Sequence, residues 1–417
     1  MKSASKSQSG RGPNLLKPEW DRLDSNDLRL LLDARIGGPG QYSGQSGDDD
    51  RLFLPLADEN CRVVLRFEGN RISVIQPGKG FDQAQWALVS AEIDTQLLVG
   101  PIEVGRGISF SSFRVTGWWR GRASGLQIRR MPKSSPACPV EGGPHPFVLE
   151  FPLQVAPEFQ IWNGRRLREH RKLSLLLNVL LRGSISTQAI QHEHFWAFDD
   201  WRKNPIVKFV QRGYFAKFGR IKQPRLSKPL GDPLEEVEPA EYYSMRGNDG
   251  KGMRVPADLD ESIVRYRNLT PRDRENFDRA LYWMDVASSQ WTISMSASFA
   301  SLVSAVESLT DRGAIHSVYC KQCREHRDHD VPGPTAQFRN FFETYASGQS
   351  LKKRRNDMYR LRSRILHGSH LIAFDEGRAH GWDPPWNEQR ELHAELWRLS
   401  QVALRSWLRK ASGGLQP

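Results

Sequence analysis

From about residue 260 onward the apolar residues recur at three- and four-residue steps, and no other feature constrains the fold of this chain as tightly. Phe277, Leu281, Met284, Trp291, Met295, Phe299, Leu302, Val306 and Leu309 form one stripe, which predicts long helical segments with a break near "SSQWTIS". Thr270 can cap the start, Pro271 suits the first helical position and Asp273 complements the dipole. In "PTAQFRNFFETY", Phe338, Phe341, Phe342 and Tyr345 share a side behind Thr335 as the expected cap. A further helix is expected from Leu351 to Leu366, stopped by Gly368, and a last one repeats Leu392, Leu396, Leu399, Ala403 and Trp407. Helices of this kind bury their stripes against one another, so residues 263–411 are expected to form an all-α bundle.

The texture between about residues 50 and 155 is different. Short apolar runs, "CRVVLRF", "RISVIQP", "WALVSAEI", "ISFSSFRVTGWW", "LQIRR" and "FVLEFPLQV", are punctuated by Gly and Pro. That spacing predicts an antiparallel β sandwich or barrel, with Trp118 and Trp119 as core and rim of a sheet rather than a base-stacking platform. One amphipathic helix is expected within it over about 165–182, on Leu167, Leu173, Leu176, Leu177 and Leu180. His192 and His194 stand among aromatics and read as rim histidines ahead of a metal pair. Residues 217–262 are rich in Pro, Gly and charge without a sustained period, which predicts a linker. The expected class is therefore α+β: a tail over 1–48, a β-rich domain over 49–216, the linker, and the helical bundle.

Sixty Lys and Arg against 48 Asp and Glu give a formal charge of +12. Such an excess points to an anionic partner, with nucleic acid ahead of membrane because its phosphates are closely spaced, and with a merely solubilising surface as the alternative. The longest apolar run, "LSLLL" extended by "VLL", is far short of the roughly 20 residues a bilayer demands, so no membrane partner is expected. "MKSASKSQSGRGPN" lacks the apolar stretch of a secretory signal, and four cysteines do not make a disulfide framework. A cytoplasmic location and a flexible N-terminal tail are the expectation.

The charge concentrates on the helix before Gly368. Lys352, Lys353, Arg354, Arg355, Arg360, Arg362 and Arg364 face the single acid Asp357, and all but Arg362 are read as candidate RNA-binding cations. Met358, Leu361 and Ile365 form its core stripe, while Arg362 and His367 lie five residues apart, about 7.5 Å along the axis. A histidine can move the ribose 2′-OH proton or protonate the leaving 5′-oxygen, and a guanidinium can clamp the charge developing on phosphorus. The structural alternative is an arginine and a last-turn histidine answering the helix dipole.

"YRLRSRILHGS", with upstream "SFASLVSAVESL" and "GPTAQFRNFFETY", resembles the HEPN superfamily, most closely its Apea-like branch, over about residues 270–410. The resemblance implies a helical, usually dimeric bundle with an Arg-x4-His signature. That signature falls on Arg362 and His367, with the polar Ser363 directly after the arginine and Glu307 on the facing helix as supporting residues. It implies a metal-independent endoribonuclease, acting as a homodimer in antiphage defence or stress, with the variable N-terminal region sensing an unknown trigger. A catalytically inactive RNA-binding or dimerisation module with a ligand-sensing β-rich domain is the competing reading.

"CKQCREHRDH" supplies Cys320, Cys323, His326 and His329. Cys-x2-Cys is a common zinc half-site because one tight turn brings two thiolates to one ion. The closely spaced histidines need a sharp chain reversal, so one of them, or His316, can be a bystander; a reduced thiol pair and a redox switch are the other readings. Zinc here would be structural, stapling a loop, and no cofactor is required for the chemistry at Arg362 and His367.

Overall fold

The computed structural model describes residues 13–37, 44–45, 51–54, 62–131, 145–187, 194–198, 207–211, 225–245, 252–291, 293–310, 314–319, 324–348, 352–377 and 384–411. The chain is mixed α+β and divides into two compact units. One comprises Met1–Gly105, Pro152–Glu169 and Lys222–Arg225; the other comprises Arg106–Phe151, His170–Ile221 and Leu226–Pro417. The boundaries expected at 49, 217 and 263 do not follow this division.

In the first unit, helix α1 (Ser25–Leu32) precedes an antiparallel sheet of β1 (Gly44–Gln45), β2 (Arg51–Leu54), β3 (Val63–Glu68) and β4 (Arg71–Pro77), followed by α2 (Gln83–Glu92). Residues 13–37, expected as part of a flexible tail, are folded. Trp20, Leu28, Leu31, Leu32 and Ile36 are buried, and the indole of Trp20 donates to Asp94 Oδ1 at 2.7 Å. Buried Asp27 accepts 2.6 Å hydrogen bonds from both Arg165 and Arg168. "WALVSAEI", expected as a strand, is helix α2 and its continuation. Asp82 caps the backbone N–H groups of Ala84 and Gln85, and the buried Trp86, Val89 and Ile93 recur at helical steps.

The second unit holds most of a sheet of five strands, β5 (Ile102–Ser111), β6 (Trp118–Arg120), β7 (Gln127–Arg130), β8 (His145–Gln154) and β9 (Ile185–Ser186), in the order β6-β7-β8-β5-β9. Trp119 is buried and Trp118 half-buried, as core and rim. Helix α3 (Phe159–Leu180) contributes buried Leu173, Leu176, Leu177 and Leu180, whereas Leu167, expected in the same stripe, is exposed. Gly107 is obligatory: a Cβ there would collide with the imidazole of His170, which is buried 2.9 Å from Ser109 Oγ. Beyond lie β10 (His194–Phe198), which contains His194, and β11 (Val207–Gln211), an antiparallel pair; His192 lies outside the described residues.

The centre of the sheet holds a buried charge cluster. Glu150 is 0% exposed and accepts from Arg106 Nε at 2.9 Å, Ser227 Oγ at 2.6 Å and Gln127 Nε2 at 3.2 Å, with Arg129 Nε 3.3 Å away. Desolvation, set against the Glu150 charge, lowers the Arg129 pKa. Ser227 belongs to the segment expected as a linker, and its described residues are folded. They form β12 (Glu236–Val237), α4 (Pro239–Ser244) and β13 (Val255–Pro256), and bury Leu234, Val237, Tyr242, Met253 and Val255. Those apolar residues are too irregularly spaced to register as a period.

The helices then follow: α5 (Leu259–Arg267), α6 (Pro271–Gln290), α7 (Met295–Glu307), the antiparallel hairpin β14 (Ala314–Tyr319) and β15 (His326–Val331), α8 (Pro334–Tyr345), α9 (Lys352–Leu366) and α10 (Pro384–Ala411). Thr270 caps α6 by accepting from the Asp273 N–H at 3.2 Å, and the break near "SSQWTIS" falls between α6 and α7. Gly333 rather than Thr335 occupies the cap of α8, because Pro334 takes the first helical position. Helix α7 is central, packing against α6, α8, α9 and α10, with Phe299, Leu302, Val303, Ala305 and Val306 buried. Its N-terminus is closed from the turn after α9: the Asp375 carboxylate accepts from Ser294 Oγ and from the N–H groups of Met295 and Ser296 at 2.8–2.9 Å.

One polar group inside the bundle makes it acid-sensitive. Ser298 Oγ donates its proton to Ala287 O at 2.7 Å, so its 2.9 Å contact with His393 Nε2 must be an acceptance. Nδ1 of the buried imidazole is thus left bare, without a partner among the described residues. Burial lowers the His393 pKa to about 4. Unfolded, the same group titrates near 6.5, so between these values the unfolded chain binds the extra proton and stability rises with pH. The contribution is fully present above about pH 6.5 and is lost as pH falls through 4, by about 3 kcal/mol at most. His393→Phe should flatten the acid limb of a Tm-against-pH curve; an unchanged limb would assign the sensitivity to another group.

Candidate active site

Helix α9 ends in a left-handed turn that displays His367. Gly368 adopts φ +67, with no atom near where a Cβ would stand, so the glycine serves backbone conformation alone. The Ser369 N–H reaches Arg364 O and the Gly368 N–H reaches Ile365 O, both at 3.0 Å, the pair of bonds that defines a Schellman ending. His367 is therefore the last half-helical residue; its N–H still donates to Ser363 O at 3.0 Å while its ring is exposed. Among the described residues the His367 side chain has no hydrogen-bond partner.

Arg362 is held differently. Its Nη2 donates to Glu307 Oε2 at 2.8 Å, and the Tyr359 hydroxyl donates to the other Glu307 oxygen at 3.2 Å. The guanidinium carbon lies 5.6 Å from the centroid of the Tyr359 ring, and the Arg362 and Glu307 side chains are only 22% and 27% exposed. Burial, then the Glu307 charge, raises the Tyr359 pKa, so the phenol remains a donor. Glu307 at the end of α7 thus holds the Arg362 guanidinium and the Tyr359 hydroxyl together. Tyr359 was not singled out from sequence, although its place three residues before Arg362 puts both on one helix side.

The other cations of α9 fall into two groups. Lys353, Arg360 and Arg364 are exposed, Arg360 beside Asp357 at 3.7 Å and Arg364 Nη2 3.2 Å from His370 Nδ1. Arg354 and Arg355 are not part of that surface: Arg354 Nε donates to Glu395 at 3.0 Å, and Arg355 is buried, 3.9 Å from Glu343. Their reassignment is geometric, since Arg355 and the core residue Met358 are three apart. Lys352 opens the helix, and Ser363 is half-buried beside Arg362.

Of the expected zinc ligands, Cys320 and Cys323 lie outside the described residues, and only the backbone of His326 and His329 is described. The hairpin register sets Tyr319 opposite His326 and His316 opposite His329. Among the described residues no cluster of three or more His, Cys, Asp or Glu could hold a metal ion, and no helix is long and apolar enough to cross a membrane.

Comparison with family models, with curated proteins and with solved structures finds no match to this chain.

Proposed function

We propose that the chain is an HEPN-like, metal-independent endoribonuclease acting as a homodimer in a conditional response such as antiphage defence. The observation that carries this reading is the pairing of an oriented guanidinium, Arg362 on Glu307 and Tyr359, with an exposed imidazole presented by a hydrogen-bonded helix ending. In the reaction the 2′-oxygen attacks phosphorus and the bond to the 5′-oxygen breaks. One His367 takes the 2′-OH proton, a second protonates the departing 5′-oxygen, and Arg362 offsets the charge gathered on phosphorus. Arg362 and His367 stand about 140° apart around the helix, so a single chain presents half of such a cleft. A two-fold axis bringing both α9 ends together would complete it, with Lys353, Arg360 and Arg364 holding the RNA backbone. Zinc on Cys320, Cys323, His326 and His329 would staple the β14–β15 hairpin and take no part in the chemistry.

The decisive assay is incubation of a labelled single-stranded RNA with the purified chain in EDTA. The expected products carry 2′,3′-cyclic phosphate and 5′-hydroxyl ends, from protein whose mass in solution is that of a dimer and whose metal analysis gives one zinc per chain. Intact RNA under every condition tried would favour the inactive RNA-binding or dimerisation module instead.

A further inference from the structure

At the other end of α10 the second unit has an open cleft of about 920 Å³, between α4, the turn after α3 and α10. That size falls among small-molecule sites. Its wall carries four arginines, Arg182, Arg398, Arg405 and Arg409, against two carboxylates, Glu238 and Asp258. Arg409 spends its charge on Asp258 at 2.6 Å. Arg398 is exposed and has no partner among the described residues.

Arg405 is the unusual group. Its guanidinium lies 4.0 Å from the centroid of the Tyr243 ring, and Nη1 donates to Val179 O at 3.0 Å. No carboxylate pairs with it among the described residues. The Tyr243 hydroxyl donates to Leu180 O at 2.9 Å, and burial pushes its pKa up, so it supplies a ring face and no counter-charge. Desolvation lowers the Arg405 pKa, outweighing the smaller opposing contributions of Tyr243 and Asp258. A guanidinium kept this way, with others beside it on a cavity wall, suits a multiply charged oxyanion, and four arginines against two acids leave a surplus that matches a phosphate dianion.

We infer that this cleft binds a phosphorylated small molecule of up to nucleotide size, held by Arg398 and Arg405 with Arg182 at the rim. Apolar Leu181 and Val402 on the same wall leave room for an uncharged portion of the ligand. The cleft is remote from His367: Gln389, 3.4 Å from His370, and Arg405 are sixteen residues apart on α10, about 24 Å. Binding there can consequently be measured without reference to RNA cleavage.

The test is calorimetric titration of the full chain, at fixed ionic strength, with inorganic pyrophosphate, with AMP and with a short single-stranded RNA. Saturable binding of one pyrophosphate or AMP per chain is expected, weakened about tenfold or more by Arg398→Ala and by Arg405→Met. Arg398 is solvent-exposed, so its variant keeps the fold even if Arg405→Met does not. Tighter binding of AMP than of pyrophosphate would identify a nucleotide; equal binding would identify the phosphate group as the recognised part. The inference is overturned if neither probe saturates, if only the RNA binds, or if Arg398→Ala leaves the affinity unchanged while Arg362→Ala abolishes it.

Discussion

His367→Ala is expected to slow RNA cleavage by about 10²–10⁴-fold, the usual range for one acid–base group, with the thermal transition unmoved. The two outcomes separate because of where the residue stands. Its ring is exposed at the end of α9 and has no hydrogen-bond partner among the described residues, while its backbone bond to Ser363 does not depend on the side chain. Surface changes of this kind cost within about 0.5 kcal/mol. RNA affinity should also persist if the exposed Lys353, Arg360 and Arg364 hold the phosphates as proposed, since the substitution leaves all three in place. A variant that cleaves at the wild-type rate would remove His367 from the chemistry. A variant that loses affinity and activity together would make it a binding group.

The largest loss of stability is expected far from that helix end, from Glu150→Ala. Its carboxylate is completely buried and is the shared acceptor for Arg106, Gln127 and Ser227, with Arg129 close by. Removal leaves two desolvated guanidiniums, each 7% exposed at the side chain, next to one another. Breaking a buried pair on one side typically costs about 3–5 kcal/mol, since the penalty lies in the charge left behind. The combined variant Arg106→Met, Arg129→Leu, Glu150→Leu removes that charge too and should recover much of the loss. Urea unfolding, read by circular dichroism and by amide protection in β7 and β8, checks both. Equal midpoints for Glu150→Ala and wild type would mean that the cluster contributes no net stability.

Much of the helical half was legible because burial there repeats with a helical period. The stripe from Phe277 to Leu309 is buried at nearly every position named, Trp291 being half-exposed, and Thr270 and Gly368 act at the ends assigned to them. The N-terminal part was less legible where polar groups decide the structure. Asp82 converts "WALVSAEI" into a helix by capping two N–H groups, a local bond that an apolar run does not announce. Asp27 with Arg165 and Arg168, and Ser227 with Glu150, join residues more than 70 positions apart, and no short motif encodes such partners. At the candidate site the sequence gives positions and the fold gives partners: Arg362, His367 and Glu307 were nameable in advance. The burial of Arg355 and the hydroxyl of Tyr359 became visible only once α7 and α8 lay against α9.

Asp375 has a mechanical meaning beyond its capping role. It fastens the chain to the first turn of α7, while Arg362 fastens it to Glu307 at the last. Helix α7 is thus a strut of about 18 Å between two clamps, and His367 rides on the span stretched between them. Neither clamp can let go without baring a buried turn or stranding a carboxylate. The amides around His367 should therefore exchange with solvent on the timescale of α7 itself, and the position of the imidazole is set by the length of a helix to which it does not belong.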